Sequence, residues 1–474
     1  MRRRIAGLGS LLFVAACATN PVTGKKELSL VSESQEVQMG LQAAKEASDQ
    51  MGVYPDSQLQ AYVKSLGAPI AAASERPQLP WQFTVIDDPV VNAFALPGGP
   101  VFVTRGILGY MNSEAQLVSV LGHEIGHVTA KHSVNQMSRA QLAQIGLVGA
   151  MLVRPELQRF GDLGSQALGL MFLKFGRDDE TQADDLGFRY MTRQGYEPTE
   201  MAEMFRTLER TTGGGSRTPE WLSTHPDPGN RVARTGERIA AWTRPAGPLK
   251  VNRDPFLRHV DGIVFGDDPR QGYFEQAVFY HPTLRFRLDF PAGWKTQNSP
   301  QQVAGVSAAQ DAILVLSGAG TTAPAQAAAQ FTAQQGVRSL GVSTSSINGL
   351  PAAVAQFTAQ PDPQTIIAGY AAFVQLDGAT YRILAYTGQQ VIGTYDAAFR
   401  RAIGSFQRVT DARVLGVKPQ RIRLVQLKAA MTLAQFNQQY PSVIPIEQLA
   451  VINGASATTT SFPVGTWLKR VVVE

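Results

Sequence analysis

Cysteine is almost absent from this 474-residue chain, which contains a single one, Cys17. One cysteine cannot form an intrachain disulfide, so a disulfide-stapled fold is excluded. Charged residues make up 17% of the chain and are nearly balanced, with 43 lysines and arginines against 38 acidic residues. Basic residues form no stripe interleaved with aromatic ones, and we therefore expect no nucleic-acid partner. Histidine is also rare, with six in the chain, so closely spaced histidines are unlikely to be accidental.

The first seventeen residues have the pattern of an export signal. Three arginines at residues 2–4 precede a short apolar run at residues 5–14, followed by small residues. This run is shorter than the roughly 18–20 apolar residues that a membrane-spanning helix needs. Residues 14–17 resemble the lipobox of bacterial lipoproteins, in which the cysteine is lipidated and becomes the mature N-terminus.

This resemblance implies that Cys17 carries lipid and holds the protein on a membrane of the cell envelope. Ala18 stands where an aspartate would favour the inner membrane, so we expect the periplasmic face of the outer membrane. The alternative is a simple signal peptide with an incidental cysteine.

The length of the chain exceeds what one hydrophobic core usually supports and predicts several domains. We expect a multidomain α+β protein: a mainly helical domain with a small sheet, an α+β domain, and a small strand–helix–helix–strand module. The predicted segments are a signal peptide at 1–17, a tether at 18–30, the helical domain at 31–245, a linker at 246–272, the α+β domain at 273–410 and the terminal module at 421–474.

The segment that most strongly indicates a catalytic site is His-Glu-Ile-Gly-His at residues 123–127. Residues four apart share one face of a helix, so His123 and His127 can direct both imidazoles at one metal ion. Zinc binds imidazole nitrogen readily, and two histidines leave room for a third protein ligand and a water molecule. Viewed down the helix axis, Glu124 lies at an angle between the two histidines, so it can act as a general base without being a metal ligand.

Two glycines, Gly122 and Gly126, lie beside these histidines. Glycine in a helix costs about 1 kcal/mol relative to alanine, so its presence needs a reason. Either a neighbouring backbone approaches closely here, or the glycines are tolerated in ordinary helix packing. Ser113 can cap the start of the same helix.

A third metal ligand can come from the acidic segment at residues 178–184. Glu180 is the best candidate, and Asp184, four residues on, shares its helical face. From there Asp184 can accept a hydrogen bond from the outer nitrogen of a ligand histidine and orient the ring. The alternative is that these acidic residues form a charged helix start that suits the helix dipole.

The motifs resemble, in family order, those of the HtpX/CAAX-protease family of zinc peptidases (minigluzincins). The similarity includes residues 92–99 upstream and 223–226 downstream, and spans about residues 30–242. It implies one zinc ion per chain and a peptidase fold. The implied zinc ligands are His123, His127 and Glu180, with Glu124 as base and Asp184 as the residue that orients a ligand.

The same resemblance implies that Asn92, Ala93, Phe94 and Ala95 line the substrate groove. A peptide can bind there in extended form by pairing with the edge of a strand.

Three further residues have open roles. By the resemblance His225 lies near the metal, where it can donate a hydrogen bond to a tetrahedral oxyanion, bind zinc as a fourth ligand in a resting state, or cap the helix that follows. Arg231 can stabilise an oxyanion or pair with Asp227. His132 lies nine residues after His123, about 180° round the helix, so we expect that it cannot bind the same metal ion and interpret it as structural.

The two trailing segments resemble known modules. Residues 286–294, 347–351 and 403–406 are similar to PsbP-like α+β domains, for which we expect a role in interaction. Residues 421–474 resemble a degenerate LysM module, a class that binds peptidoglycan. Alanines 429 and 430 replace the usual Gly-Asp, a departure that bears on glycan binding.

The sequence therefore predicts a lipid-anchored zinc endopeptidase that hydrolyses exposed or misfolded envelope proteins in protein quality control. Two alternatives stay open. One is a chaperone or assembly factor whose metal site is gated or inactive, and the other is a peptidoglycan-binding envelope protein.

Overall fold

The computed structural model describes residues 17–139, 175–211, 224–225, 228–362, 365–456 and 461–474. The chain forms two compact units: unit 1 comprises Met1–Asp267 and Gln420–Glu474, and unit 2 comprises Asp268–Pro419. The predicted signal peptide lies outside the described residues except for Cys17. Across the ranges described, no helix is both long and apolar enough to cross a membrane.

The secondary structure of the described residues alternates between helix-rich and strand-rich stretches. The helices are α1 (Glu33–Met51), α2 (Ser57–Ala72), α3 (Arg105–Tyr110), α4 (Glu114–Thr129), α5 (Arg177–Arg193), α6 (Thr199–Thr211), α7 (Pro228–Ala241), α8 (Arg253–Val260), α9 (Pro324–Thr332), α10 (Ile392–Gly404), α11 (Ala412–Leu415), α12 (Leu433–Gln439) and α13 (Ile446–Ile452). The strands are β1 (Cys17–Thr19), β2 (Lys26–Leu28), β3 (Gln82–Ile86), β4 (Ala93–Ala95), β5 (Pro100–Thr104), β6 (Tyr273–Glu275), β7 (Val278–His281), β8 (Phe286–Asp289), β9 (Lys295–Asn298), β10 (Gln302–Val306), β11 (Ala312–Gly318), β12 (Val337–Ile347), β13 (Leu350–Asp362), β14 (Thr365–Leu376), β15 (Ala379–Gly388), β16 (Gln407–Arg408), β17 (Gln420–Gln426), β18 (Met431–Thr432), β19 (Ser461–Phe462) and β20 (Trp467–Val473).

Helix α4 runs through the centre of unit 1, and all of its residues are buried. The hydroxyl of Ser113 accepts a hydrogen bond from the backbone N–H of Gln116, so the predicted helix cap is confirmed. Beside α4 lies a three-stranded sheet in the order β3-β5-β4, with β3 parallel and β4 antiparallel to β5. The sheet and the surrounding helices shield the polar residues of α4 from water.

Buried polar contacts fix the start of α4. The carboxylate of Glu114 accepts hydrogen bonds from the Tyr62 hydroxyl at 2.8 Å, the Tyr196 hydroxyl at 2.7 Å and the Asn252 amide at 2.6 Å. These donors come from α2, from the loop after α5 and from the segment before α8. The orientation of α4 is thus tied to three separate elements.

The end of α4 is fixed by a buried arginine. Arg76, which is 1% exposed, donates to the carbonyl oxygen of Val128 at 3.0 Å and to both carboxylate oxygens of Glu36 at 2.7 and 2.8 Å. Glu36 also accepts from the backbone N–H of Gly98 at 3.2 Å. The ion pair between Arg76 and Glu36 therefore joins helix α1, the turn between β4 and β5 and the end of α4. A buried charge is tolerated when it is paired in this way.

Residues 18–30, predicted to be a tether, fold against unit 1. Strands β1 and β2 form an antiparallel hairpin, and the side chain of Asn20 closes its turn by accepting from the backbone N–H groups of Val22 and Thr23. The same asparagine donates to the carbonyl oxygen of Ala130 at 3.2 Å. A polar composition suggested a loose segment, but the local turn chemistry of Asn20 orders it.

Residues 246–272, predicted to be a linker, contain helix α8. Its residues Phe256, Leu257 and Val260 are fully buried and belong to the main core of unit 1. Three apolar residues at this spacing form one helical face. The prolines, glycines and charged residues on both sides of α8 led to the prediction of a linker, because the apolar pattern of this helix is short.

The last 55 residues also belong to unit 1. They follow the order strand, helix, helix, strand in β17, α12, α13 and β20, with β17 and β20 paired antiparallel. Lys469 of β20 is fully buried and donates to the carbonyl oxygens of Gly109 at 3.0 Å and Met111 at 2.6 Å. The identity of residues 421–474 as a LysM-like module stays a prediction.

Unit 2 is dominated by a seven-stranded antiparallel sheet in the order β12-β13-β14-β15-β11-β10-β9. A four-stranded sheet, β16-β8-β7-β6, accompanies it, together with helices α9 and α10. The coarse prediction of a multidomain α+β protein with a mainly helical first part is confirmed.

Candidate active site

Four buried side chains from three parts of unit 1 converge on one point. His123 and His127 come from α4, Glu180 from the first turn of α5, and His225 from just before α7; each is 1% exposed. One ligand atom from each lies within 4.8 Å of the other three. We call these four residues the metal cluster.

The distances within the metal cluster fit a four-coordinate metal. The Nε2 atoms of His123 and His127 are 3.0 Å apart. His225 Nδ1 lies 3.3 Å from His123 Nε2 and 2.9 Å from Glu180 Oε1, which is 3.4 Å from His127 Nε2. A tetrahedral zinc site with bonds of about 2.0–2.1 Å separates its ligand atoms by roughly 3.3 Å. Both the donor set and its spacing therefore suit zinc.

Glu124 lies beside the metal cluster and has no hydrogen-bond partner among the described side chains. It is fully buried, and its Oε1 is 3.7 Å from Nε2 of His225. Burial raises the pKa of Glu124 to about 7. A buried carboxylate left unpaired is costly, and this one is placed to accept and return a proton.

The outer nitrogen of His123 faces Asp184. The distance from His123 Nδ1 to Asp184 Oδ1 is 3.0 Å. Arg231 donates to both carboxylate oxygens of Asp184, from Nε at 2.9 Å and from Nη2 at 2.6 Å, while its Nη1 lies 3.3 Å from Glu180 Oε2. Burial acts to raise the pKa of Asp184, but the guanidinium and the hydrogen bond with His123 hold it well below its ordinary value.

The guanidinium of Arg231 spans Asp184 and Glu180. Asp227, the partner considered in the sequence, lies outside the described residues, so that pairing stays a prediction. A contact between side chains 47 residues apart cannot be read from local spacing. In this position Arg231 compensates the charge of Glu180, a member of the metal cluster, and of Asp184 beside it.

His132 was interpreted as structural, yet it touches a metal-cluster residue. Its Nδ1 lies 2.9 Å from Nδ1 of His127, and its Nε2 lies 2.8 Å from Oε1 of Gln182 on α5. Helix α4 ends at Thr129, so His132 does not lie on that helix as the angular argument assumed, and it is not a member of the metal cluster. Phe175, which the sequence did not single out, stacks on the ring of His127 at a centroid distance of 3.9 Å.

Glycines let the two ligand-bearing helices approach closely. A Cβ atom added to Gly187 of α5 would lie 3.0 Å from the backbone nitrogen of His123, and one added to Gly122 would lie 3.2 Å from Cα of Gly187. A Cβ on Gly126 would lie 3.1 Å from Cβ of Leu186. Of the two interpretations of these glycines, close backbone approach is confirmed.

The residues predicted to line the groove form and precede β4. Strand β4 pairs on one side with β5, and in the three-stranded sheet its other side is an edge. The backbone of Asn92 and Leu96 bonds to β5, so the N–H and C=O groups of Ala93 and Ala95 point away from β5, towards the outer edge of the sheet. The nearby N–H of Ala95 acts to lower the pKa of Glu124, which puts this edge beside that carboxylate.

Comparison with known proteins adds sequence similarity to the geometry of the site. The profile of peptidase family M48 matches residues 57–239, a range that includes the metal cluster, Glu124 and Asp184. The beta-barrel assembly-enhancing protease of Escherichia coli (strain K12) is 30% identical over 236 residues, which cover 48% of this chain and 48% of that protein. The mitochondrial metalloendopeptidase OMA1 of Schizosaccharomyces pombe is 31% identical over 242 residues, which cover 49% of this chain and 69% of that protein.

These similarities have clear limits. The chain spans about half the length of the bacterial relatives that it matches. Among solved structures, the cyanobacterial PsbP (CyanoP) of Synechocystis sp. PCC 6803 aligns with 29% of this chain and 91% of its own, at a TM-score of 0.23 and 13% identity. That likeness is too weak to assign the fold of unit 2. The profile match, by contrast, covers α4 and α5 with their ligand residues, and the similarity to OMA1 extends over more than two thirds of the yeast protein: the chain belongs to peptidase family M48.

Proposed function

We propose that this protein is a zinc-dependent endopeptidase. The observation that carries the proposal is the metal cluster, whose four ligand atoms lie within 4.8 Å of one another, with the fully buried carboxylate of Glu124 beside it. Membership of peptidase family M48 supports the same activity.

In the proposed mechanism His123, His127 and Glu180 hold the zinc ion, and Asp184 orients His123. When bound, zinc supplies Lewis-acid polarisation to a carbonyl group and to a water molecule. Glu124 takes a proton from the attacking water and passes it to the leaving amine. Its burial raises its pKa towards neutrality, which suits a group that must both accept and donate a proton.

His225 is proposed to close the site at rest. Its Nδ1 completes a four-cornered arrangement with the three zinc ligands, whereas a catalytic zinc site keeps one position open for water or substrate. His225 must therefore swing away before catalysis. In the open state it can donate a hydrogen bond to the oxyanion, the second role considered for it.

The substrate is proposed to bind as an extended peptide along β4. The backbone groups of Ala93 and Ala95 point away from β5, towards the outer edge of β4, and Glu124 lies beside that edge. Pairing through backbone groups is largely indifferent to sequence, which suits a peptidase that acts on exposed or misfolded chains. The name of the Escherichia coli relative refers to β-barrel assembly, and this supports envelope proteins as the substrates.

We propose that the protein is located in the cell envelope, at the periplasmic face of the outer membrane, because residues 14–17 resemble a lipobox. Lipid on Cys17 would leave two residues before Asn20, whose side chain bonds to the segment after α4. An anchor so close to a folded hairpin would hold unit 1 at the membrane surface.

The test of the proposal is metal removal and return. The purified chain should bind one zinc ion and cleave an unfolded outer-membrane protein, lose cleavage after treatment with a chelator, and regain it when zinc is added back. His123→Gln should bind zinc poorly and fail to cleave, whereas the matched change His281→Gln in unit 2 should alter neither property. Cleavage that is unaffected by the chelator would contradict the proposal.

The closed arrangement around His225 also favours a second candidate, an assembly factor with a gated metal site. In cells that lack this protein, the Glu124→Gln variant separates the two candidates. Restoration of envelope integrity by this variant supports the assembly factor, and failure to restore it supports the peptidase.

A further inference from the structure

His132 occupies its position because α4 ends three residues before it. Lys131 adopts a left-handed backbone conformation with φ of 58°, and the chain reverses before helical residues 132–139 begin. This reversal turns the imidazole of His132 back towards His127, where it is 3% exposed. A residue other than glycine with positive φ stores strain, and such strain is typical of functional sites.

The contacts of His132 define a single arrangement of protons. His127 Nε2 points into the metal cluster, 3.0 Å from His123 Nε2, so its Nδ1 is the atom that meets His132 Nδ1 at 2.9 Å. Two ring nitrogens at that distance share one proton. His132 Nε2 lies 2.8 Å from Oε1 of Gln182, an oxygen that only accepts hydrogen bonds.

It follows that a neutral His132 carries its proton on Nε2 and leaves Nδ1 bare. His127 must then donate from Nδ1, and its Nε2 is left without a proton. The carboxylate of Asp179, 3.8 Å from His132 Nε2, favours the same placement of the proton. A bare Nε2 on His127 is the form of the ring that can bind a metal ion.

The two histidines of α4 are thus oriented by different chemistry. His123 faces the carboxylate of Asp184, whose charge Arg231 compensates. A second carboxylate facing His127 would need another buried cation beside it. A neutral imidazole orients His127 without adding charge to the buried site.

We propose that His132 is a positioning residue that fixes the tautomer of His127 and that Gln182 in turn fixes the tautomer of His132. The chain of hydrogen bonds from His127 to His132 to Gln182 links α4 to α5, the helix that carries Glu180. The proposal rests on the proposed function to the extent that the metal cluster binds zinc.

Zinc affinity, measured by competition with a chromogenic chelator, tests this role. His132→Phe keeps ring volume but removes the acceptor, and it should weaken zinc binding about 10- to 100-fold, the range for loss of a partner that orients a ligand. His132→Asn offers an oxygen near the position of Nδ1 and should stay within about threefold of wild type. His259→Phe on α8, whose ring stacks on Tyr62 outside the metal cluster, is the control and should bind zinc like wild type.

A second measurement does not depend on how a variant folds. Long-range proton–nitrogen NMR of histidine-labelled wild type reports which ring nitrogen carries the proton, and His127 should appear as the Nδ1–H form and His132 as the Nε2–H form. Equal zinc affinity for His132→Phe and wild type, or an Nδ1–H form of His132, would overturn this role while leaving the peptidase proposal intact. Absence of zinc binding by wild type would contradict the peptidase proposal instead.

Discussion

The crossing of α4 and α5 makes Gly187→Ala the sharpest structural perturbation available. The added methyl carbon would lie 3.0 Å from the backbone nitrogen of His123, whereas ordinary van der Waals contacts begin at 3.4 Å. The backbone of α4 cannot rotate away as a side chain can, so the two helices must separate by several tenths of an ångström. This movement shifts Glu180 on α5 relative to His123 on α4.

Two opposing energies determine the stability of this variant. Alanine is favoured over glycine in a helix by about 1 kcal/mol. Overpacking of a close contact costs about 1–3 kcal/mol. We therefore expect Gly187→Ala to lower the free energy of unfolding by roughly 0–2 kcal/mol. The effect on catalysis should be clearer, because a misplacement of about 1 Å costs roughly 100-fold in rate and half of that shift should cost roughly tenfold.

Chemical denaturation, zinc affinity and peptide cleavage together measure these effects. Gly122→Ala, with its nearest contact at 3.2 Å, should show a smaller loss than Gly187→Ala. Gly236→Ala is the matched control, since a Cβ at this exposed position on α7 has no atom within 4 Å. It should raise stability by up to about 1 kcal/mol and leave cleavage unchanged. If Gly187→Ala behaves like Gly236→Ala, the argument from close helix contact is refuted.

Two further predictions concern buried ionisable groups away from the metal cluster. Burial lowers the pKa of His281 to about 4, and its Nδ1 accepts a hydrogen bond from the backbone N–H of Leu284 at 3.2 Å. The unfolded chain therefore binds the proton more readily than the folded chain. The free energy of unfolding should fall by about 2–3 kcal/mol as the pH drops from 6.5 to 4. His281→Asn should flatten this dependence in urea titrations, and an equal slope in both proteins would contradict it. Burial also holds the pKa of Lys469 well below its ordinary value, so the unfolded chain binds the proton more readily and wild-type stability should rise relative to Lys469→Met as the pH approaches the ordinary pKa of lysine. Parallel curves for these two proteins would contradict a neutral buried lysine.

The sequence predicts the part of the site that depends on spacing within a helix. His123 and His127 are four residues apart, as are Glu180 and Asp184, and a helix brings each pair to one face. The structure then brings the two pairs together, with Asp184 against the outer nitrogen of His123. The two glycines pointed to close packing in the same way, although the packing partner could not be named from the sequence.

Contacts that depend on where a helix ends or on distant chain segments were beyond the reach of the sequence. The position of His132 depends on the left-handed Lys131, since without this reversal the imidazole would lie on the far side of α4. The pairing of Arg231 with Asp184 joins α5 to α7, and no local pattern predicts it. The bond from the Asn20 side chain to the carbonyl oxygen of Ala130 likewise joins residues 110 apart in sequence, and no local pattern predicts it.

The most direct measurement for the proposed mechanism compares zinc content and peptide cleavage of wild type and Glu124→Gln. Glutamine has nearly the shape of glutamate but cannot accept the proton, and the residue is not a member of the metal cluster. The account predicts one zinc ion per chain in both proteins and a fall in cleavage of an unfolded substrate of about 100-fold or more in the variant. Undiminished cleavage by Glu124→Gln with zinc still bound would contradict it.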